Sequence, residues 1–265
     1  MTQPKPALHF SHANGFPAGC YREMLGQLEP RYEIGYIDTL GHNPRFPVTD
    51  CWPNLVAETL DYIEKNYDEP VIAVGHSLGG FLSFLSALQK PDYFKAIVLL
   101  DSPIFSRRTS LALKTAKLFG LIERITPGNG TRKRRRDWED HEAAFRYFRD
   151  KKAFAEFTDA SLRAYVEAGT IPHAEGVRLR FDPEVEYQIY CGLPHIFPRY
   201  RGTLKVPTGF IGGARSAYVH PSDITQMREH FGIVIDSLDA GHLFPFEQPV
   251  QAAERIEAMI ARLTG

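Results

Sequence analysis

The sequence predicts an α/β fold, a mostly parallel doubly wound sheet with an inserted helical cap. Short apolar runs alternate with amphipathic helical patterns over the first hundred residues, and the alternation returns in the last sixty. Near-continuous apolar runs are typical of parallel strands that helices cover on both faces. Between about 103 and 203 this strand alternation is missing from the sequence, which predicts the insertion.

The periodicity assigns the core elements in chain order. Strands are predicted at Ala7–Ser11, Tyr32–Asp38, Val71–His76, Ala96–Asp101, Val206–Gly212 and Ile233–Leu238. Apolar residues recur at helical spacing over Pro53–Asn66, Leu78–Leu88, Asp223–Phe231 and Val250–Leu263.

The middle of the chain carries three helical patterns, at Leu111–Ile125, Trp138–Phe148 and Ala153–Ala168. We therefore predict a first core part at 1–102, a helical cap at 103–203 and a second core part at 204–265. The basic run Arg132–Arg136 precedes acidic residues, which favours the solvated start of a cap helix over an anion-binding patch. Aromatic residues near the end of the cap either pack it on the sheet or line an apolar pocket: Tyr187, Tyr190, Phe197 and Tyr200.

Composition excludes several classes of protein. Of 265 residues, 43% are hydrophobic and the net charge is −1, which excludes general disorder and gives no overall charge for binding nucleic acid or an anionic membrane. There is no apolar run of the roughly 20 residues that a membrane span needs, and the start lacks a secretory apolar core, so we expect a cytoplasmic protein. Three distant cysteines predict reduced thiols and no metal site. The oligomeric state stays open.

A G-x-S-x-G pattern gives the first indication of a catalytic residue. Gly75-His76-Ser77-Leu78-Gly79 follows a predicted strand and opens a predicted helix. A sharp turn there exposes the serine oxygen at a helix N-terminus, and glycines give the chain room to pass. We interpret Ser77 as a nucleophile. The alternative is a glycine-rich turn with an incidental serine.

A serine hydroxyl needs a general base, and His242 is the best placed of the ten histidines. It follows the last predicted strand, where open α/β sheets present functional residues. We interpret His242 as the base. The alternative is a histidine of a surface loop.

These motifs resemble the α/β-hydrolase superfamily, in its serine hydrolase branch. Asn14-Gly15-Phe16-Pro17 resembles the HGFP loop of that superfamily, with asparagine in place of the histidine, and Asp38-Thr39-Leu40-Gly41-His42 resembles its D-x-x-G-H turn. The resemblance implies an oxyanion hole built from the backbone N–H groups of Phe16 and Leu78. It covers roughly 165 residues, on both sides of the middle segment.

The resemblance also directs attention to the acid that orients the base. The superfamily usually carries it in a G-x-x-D turn, which here reads Gly213-Ala214-Arg215-Ser216. Some branches place the acid after the strand that follows the nucleophile helix, where this chain has Asp101. We assign the acid to Asp101 and expect Ser216 to contribute little. Asp223, a dyad without an acid, or Asp101 as a turn-former remain alternatives.

Together these residues predict a serine hydrolase without cofactor or metal, a carboxylesterase acting on a small-molecule acyl substrate. Thioester, lactone or C–C bond cleavage by the same triad remains open. So does a non-catalytic ligand-binding member of the fold.

Overall fold

The computed structural model of the protein describes residues 4–265. The first part of the chain alternates strands and helices. Its strands are β1 (Ala7–Ser11), β2 (Glu33–Tyr36), β3 (Val71–His76) and β4 (Phe94–Leu100). Its helices are α1 (Arg22–Leu28), α2 (Pro53–Asn66) and α3 (Leu78–Gln89).

The middle segment is mainly helical but also contains strands. Its helices are α4 (Arg107–Leu118), α5 (Ile122–Ile125), α6 (Gly128–Thr131), α7 (His141–Arg149), α8 (Asp159–Gly169) and α9 (Pro183–Cys191). The strands β5 (Asp137–Trp138), β6 (Thr170–His173) and β7 (Gly176–Leu179) form an antiparallel sheet in the order β5-β7-β6. Strands of two to four residues are too short to show an alternating pattern. Pro172 lies in the edge strand β6, where the missing N–H is tolerated.

The last part returns to the main sheet. It contributes β8 (Thr208–Gly213), α10 (Pro221–Phe231), β9 (Val234–Leu238), α11 (Phe244–Glu247) and α12 (Pro249–Thr264). The main sheet has six strands in the order β2-β1-β3-β4-β8-β9. All of its neighbouring strands pair in parallel. The predicted α/β fold class, with a doubly wound parallel sheet, is confirmed.

The strand order places several loops at one edge of this sheet. β1 lies beside β3, while β2 lies on the outer side of β1, so the winding direction changes between β1 and β3. Open α/β sheets bind ligands at the carboxyl ends of the strands next to such a change. The residues that follow β1, β3, β4, β8 and β9 therefore lie at this edge of the sheet.

Two other expectations concern membranes and cysteines. Among the helices of residues 4–265, none combines the length and apolar character needed to cross a bilayer. The thiol of Cys20 is buried, those of Cys51 and Cys191 are half-buried, and all three are free.

Glu58 makes the stability of the fold depend on pH. Its buried carboxylate on α2 accepts the Gly41 N–H at 3.1 Å, and burial raises its pKa to about 7. The unfolded carboxyl loses its proton near its ordinary pKa of 4.5, so the native state holds more protons between pH 4.5 and 7. The free energy of unfolding therefore falls as pH rises through that window.

In Glu58→Gln the amide oxygen still accepts the Gly41 N–H, but the side chain no longer titrates. We therefore expect this variant to lose the decrease in unfolding free energy between pH 4.5 and 7. Its melting temperature at pH 8 should be higher than that of the native protein. Thermal melts at pH 5 and pH 8 measure it, and Glu64→Gln, an exposed change on the same helix, is the control. Parallel pH profiles for Glu58→Gln and the native protein would contradict the assignment.

Candidate active site

Ser77 lies in a strained turn between β3 and α3. Its backbone has φ 51° and ψ −112°, in the left-handed half of conformational space that non-glycine residues rarely adopt. Such a residue costs about 1–3 kcal/mol and persists only where surrounding structure holds it. Here the Ser77 N–H donates to the Leu100 carbonyl at 3.0 Å, and the Ser102 hydroxyl donates to the Ser77 carbonyl at 2.8 Å.

The glycines around Ser77 are required by close packing. A Cβ at Gly79 would lie 1.9 Å from the Ser11 carbonyl oxygen, and one at Gly75 would lie 2.3 Å from the Gly79 backbone. A Cβ at Gly80 would lie 2.1 Å from the Ser102 hydroxyl. The tight strand-to-helix turn expected from the G-x-S-x-G pattern is therefore present.

His242 and Asp101 form a hydrogen-bonded pair above the ends of the strands. The Nδ1 of His242 lies 2.5 Å from the Asp101 Oδ2. The aspartate is buried, while the imidazole is 20% exposed. Because Nδ1 faces the carboxylate and donates to it, the neutral ring keeps Nε2 free of a proton. A free Nε2 can accept a proton from a hydroxyl.

Asp101 is held by more than the histidine. It directly follows β4, and its φ of 44° makes it a second left-handed residue at this edge of the sheet. The Gly213 N–H donates to Oδ1 at 2.7 Å, and the Ser216 hydroxyl donates to Oδ2 at 2.5 Å. Ser216 thus contacts the same oxygen as His242. The sequence analysis expects little from Ser216, whereas this contact places its hydroxyl on the carboxylate, and its position in the G-x-x-D turn is the sequence signal for that contact.

Ser216→Ala is now expected to weaken the site. A hydrogen bond to a charged group contributes about 1.5–3 kcal/mol, so we expect kcat for a simple ester to fall by roughly tenfold or more. Steady-state kinetics of the purified variant measure this, with Ser222→Ala on α10 as a matched control. A kcat equal to that of the native protein would show that Gly213 and His242 suffice to orient Asp101.

His76 connects two loops beneath Ser77. Its Nε2 lies 2.9 Å from the His242 carbonyl, which can only accept, so Nε2 carries the proton. Its Nδ1 then accepts from the Tyr21 hydroxyl at 2.7 Å, and that hydroxyl accepts the Ala13 N–H at 3.1 Å. Burial lowers the pKa of His76 well below its ordinary value, so the ring stays neutral. The chain of hydrogen bonds fixes the backbone of His242 relative to the loop after β1.

The two expected oxyanion donors differ in the hydrogen bonds that their N–H groups already make. Leu78 is the first residue of α3, so its N–H has no acceptor within the helix. The Phe16 N–H instead donates to the Ala13 carbonyl at 3.1 Å and closes a tight turn in which Gly15 has φ +80°. For Phe16 to serve as a donor in this turn, its N–H has to be shared between the Ala13 carbonyl and the oxyanion.

One cavity of about 320 Å³ joins these groups. Ser77, Asp101, His242 and Phe16 line it, and most of the rest of its wall is apolar. Among the described residues no hydrogen bond links the Ser77 hydroxyl to the His242 ring. Catalytic contacts of this kind are often long before a ligand binds.

Asp223, the alternative acid, lies elsewhere. Its buried carboxylate accepts the Ser106 N–H at 2.7 Å and the Thr109 hydroxyl at 2.9 Å. It supports the start of α4 and does not line the cavity.

One group of side chains in residues 4–265 has the composition of a metal site. The ligand atoms of Asp50, Cys51 and His195 lie within 4.8 Å of one another. They line a separate groove, and the ammonium group of Lys117 already pairs with Asp50. The arrangement supplies nothing to the Ser77 cavity.

The fold and the turn at Ser77 define the class of protein as an α/β hydrolase. The Alpha/beta hydrolase family matches residues 10–255, and the chain belongs to this family.

Relatives and solved structures agree with this assignment. The monoglyceride lipase of Mus musculus is 31% identical over 130 residues, a match that spans 45% of this chain and 43% of the lipase. The chain thus matches less than half of that relative's length. The crystal structure of E-2-(acetamidomethylene)succinate hydrolase superposes with a TM-score of 0.76 at 21% identity, covering 97% of this chain and 92% of the other. The thioesterase domain from the curacin biosynthetic pathway gives a TM-score of 0.74 at 20% identity, covering 97% and 92%. These two structures establish the fold alone.

Proposed function

We propose that this hydrolase is a serine carboxylesterase that cleaves esters of small to medium acyl chains through an acyl-enzyme on Ser77. The main support is geometric: the strained Ser77 and the His242–Asp101 pair line one cavity. The mouse relative is named for its action on monoglycerides, which are carboxylic esters, and this favours the same bond class.

In this mechanism the Ser77 Oγ attacks the ester carbonyl carbon while His242 Nε2 accepts the hydroxyl proton. Asp101 stabilises the imidazolium that forms. The negative charge on the former carbonyl oxygen is stabilised by the Leu78 N–H and by the Phe16 N–H, which the oxyanion shares with the Ala13 carbonyl, and a donor of this kind contributes about 3–4 kcal/mol.

The intermediate then collapses by breaking the bond to the alcohol, which leaves with the proton from His242. Water repeats the attack on the acyl-enzyme: His242 takes one proton from the water, the acid is released and Ser77 recovers its proton. No cofactor takes part in either half of the reaction.

We further propose that residues 103–203 act as a cap over Ser77, between core parts 1–102 and 204–265. Residues of this segment form much of the cavity wall and are mostly apolar: Pro103, Phe105, Ile125, Thr126, Pro127, Ala153, Tyr190 and Leu193. Such a wall would exclude water and select an apolar acyl or alcohol group.

A series of p-nitrophenyl esters from acetate to dodecanoate tests the activity and the cap together. Tyr190→Ala enlarges the cavity, so we expect kcat/KM to shift toward longer chains while acetate turnover changes by less than about threefold. Tyr187→Ala, on the same helix but outside the cavity wall, is the control. No turnover of any ester would overturn the proposed activity, and an unchanged chain-length profile would overturn the role of the cap. Parallel assays of thioesters and lactones define the preferred bond.

A further inference from the structure

Buried side chains of the core hold the backbone of the loop that follows β1. His12 Nδ1 donates to the Ala13 carbonyl at 2.8 Å, while His12 Nε2 accepts the Leu40 N–H at 2.8 Å. The Ala13 N–H donates to the Tyr21 hydroxyl. These bonds hold Ala13 at both of its backbone polar groups, but none of them reaches Asn14 or Gly15.

The middle segment holds those next two residues. The Asn14 side-chain N–H donates to the Glu186 carbonyl of α9 at 2.9 Å. The Glu186 carboxylate packs against Gly15 so closely that a Cβ there would lie 2.7 Å from Oε1. Asn14 stands where the HGFP pattern has histidine, and its amide makes the direct bond to the cap.

Glu186 is a buried charge with a dedicated partner. Its side chain is 6% exposed, and Arg134 Nη1 donates to its Oε2 at 2.7 Å. Burial raises the pKa of Glu186, and Arg134 opposes that rise. A buried carboxylate without its partner is strongly destabilising, so the pair fixes where this turn of α9 lies. Arg134 thereby departs from the solvated basic run that the sequence predicted.

Residues just before Glu186 make similar contacts with the loop that follows β2, residues 38–42. Arg180 pairs with Asp38, and the Asp182 N–H donates to His42 Nε2 at 2.9 Å. Residues 180–186 therefore contact both the loop after β1 and the loop after β2, and His12 joins those two loops to each other.

We infer that Asn14 and the Arg134–Glu186 pair are positioning residues, which hold the oxyanion loop, residues 13–16, in its working shape from the cap side. This inference rests on the proposed function, because it concerns the donor that Phe16 contributes. A loop held at Ala13 alone leaves Gly15, the most flexible residue of the turn, free to move the Phe16 N–H. Displacement of a catalytic group by about 1 Å can cost roughly a hundredfold in rate.

Asn14→Leu tests the inference by removing the donor at similar size. We expect kcat for p-nitrophenyl acetate to fall by about tenfold to a hundredfold, with KM changed by less than about threefold. Inhibition by a boronic acid, whose tetrahedral serine adduct needs the oxyanion donors, should weaken by the same factor as kcat. Asn14→His, which offers an N–H again, should recover most of the loss.

Two further variants guard against a purely structural effect. Glu186→Gln keeps the backbone carbonyl and the side-chain volume but removes the negative charge opposite Arg134, and we expect a several-fold loss of kcat. Arg178→Gln breaks an exposed cap pair with Asp137 and serves as the control for general cap damage.

The outcomes separate the two proposals. If the native protein neither hydrolyses the ester nor binds the boronic acid, the proposed function fails. If it does both and folded Asn14→Leu or Glu186→Gln keeps native kcat and boronate affinity, the inference about positioning fails alone. Equal losses in Arg178→Gln would also overturn it.

Discussion

Asp101→Asn is expected to lower kcat for p-nitrophenyl acetate by about four orders of magnitude with little change in KM. An asparagine amide in this position can donate to His242 Nδ1, which would place the proton on Nε2 and remove the base. Gly213 and Ser216 still surround the side chain, so the fold should persist. Circular dichroism and a thermal melt verify this, and steady-state kinetics measure the loss.

A second substitution tests whether the loss in Asp101→Asn comes from the missing carboxylate. Ser216 occupies the usual position of the acid and already contacts the atom that orients His242. In the double variant Asp101→Asn with Ser216→Asp, we expect part of the lost activity to return. Native activity in Asp101→Asn alone would show that the pair is structural and that His242 acts without an acid.

Ser77→Ala should abolish esterase activity to within the background of the buffer. The loss of the attacking oxygen leaves no covalent route, and removal of a triad serine in a comparable enzyme costs about six orders of magnitude. Alanine retains a Cβ and the same backbone demands as serine, so the strained turn should form as before. Ser86→Ala, a buried change on the adjoining helix α3, is the control. Measurable turnover by pure Ser77→Ala would show that another residue is the nucleophile.

The core elements were predictable because their burial is periodic. β1, β3 and α2 have the predicted bounds, since each has a clear apolar pattern with a polar, glycine or proline boundary. Ser77, Asp101 and His242 could be proposed from the sequence because each lies at or shortly after the end of a predicted strand, and parallel strands end together. The α/β-hydrolase resemblance used these local signals together with the motifs at Asn14–Pro17 and Asp38–His42.

Other features depend on contacts between distant segments, which no local pattern encodes. The small sheet of the middle segment has strands of four residues or fewer, and β5 contributes only Asp137 and Trp138. Arg134 looked solvated among five consecutive basic residues, but its partner lies 52 positions away on α9. Ser216 has no carboxylate and no local pattern indicates a role for it, but its hydroxyl donates to Asp101, which lies 115 positions earlier in the chain.

The central claim is that Ser77 is the nucleophile of a covalent hydrolase, and labelling with a fluorophosphonate tests it most directly. The phosphorus probe takes the place of the ester carbonyl, and the serine oxygen displaces fluoride to give a stable adduct. Intact-mass and peptide mass spectrometry of the native protein should show one adduct, located on Ser77, that is absent from Ser77→Ala and forms far more slowly in Asp101→Asn. An unlabelled native protein, or an adduct on a residue other than Ser77, would contradict the account.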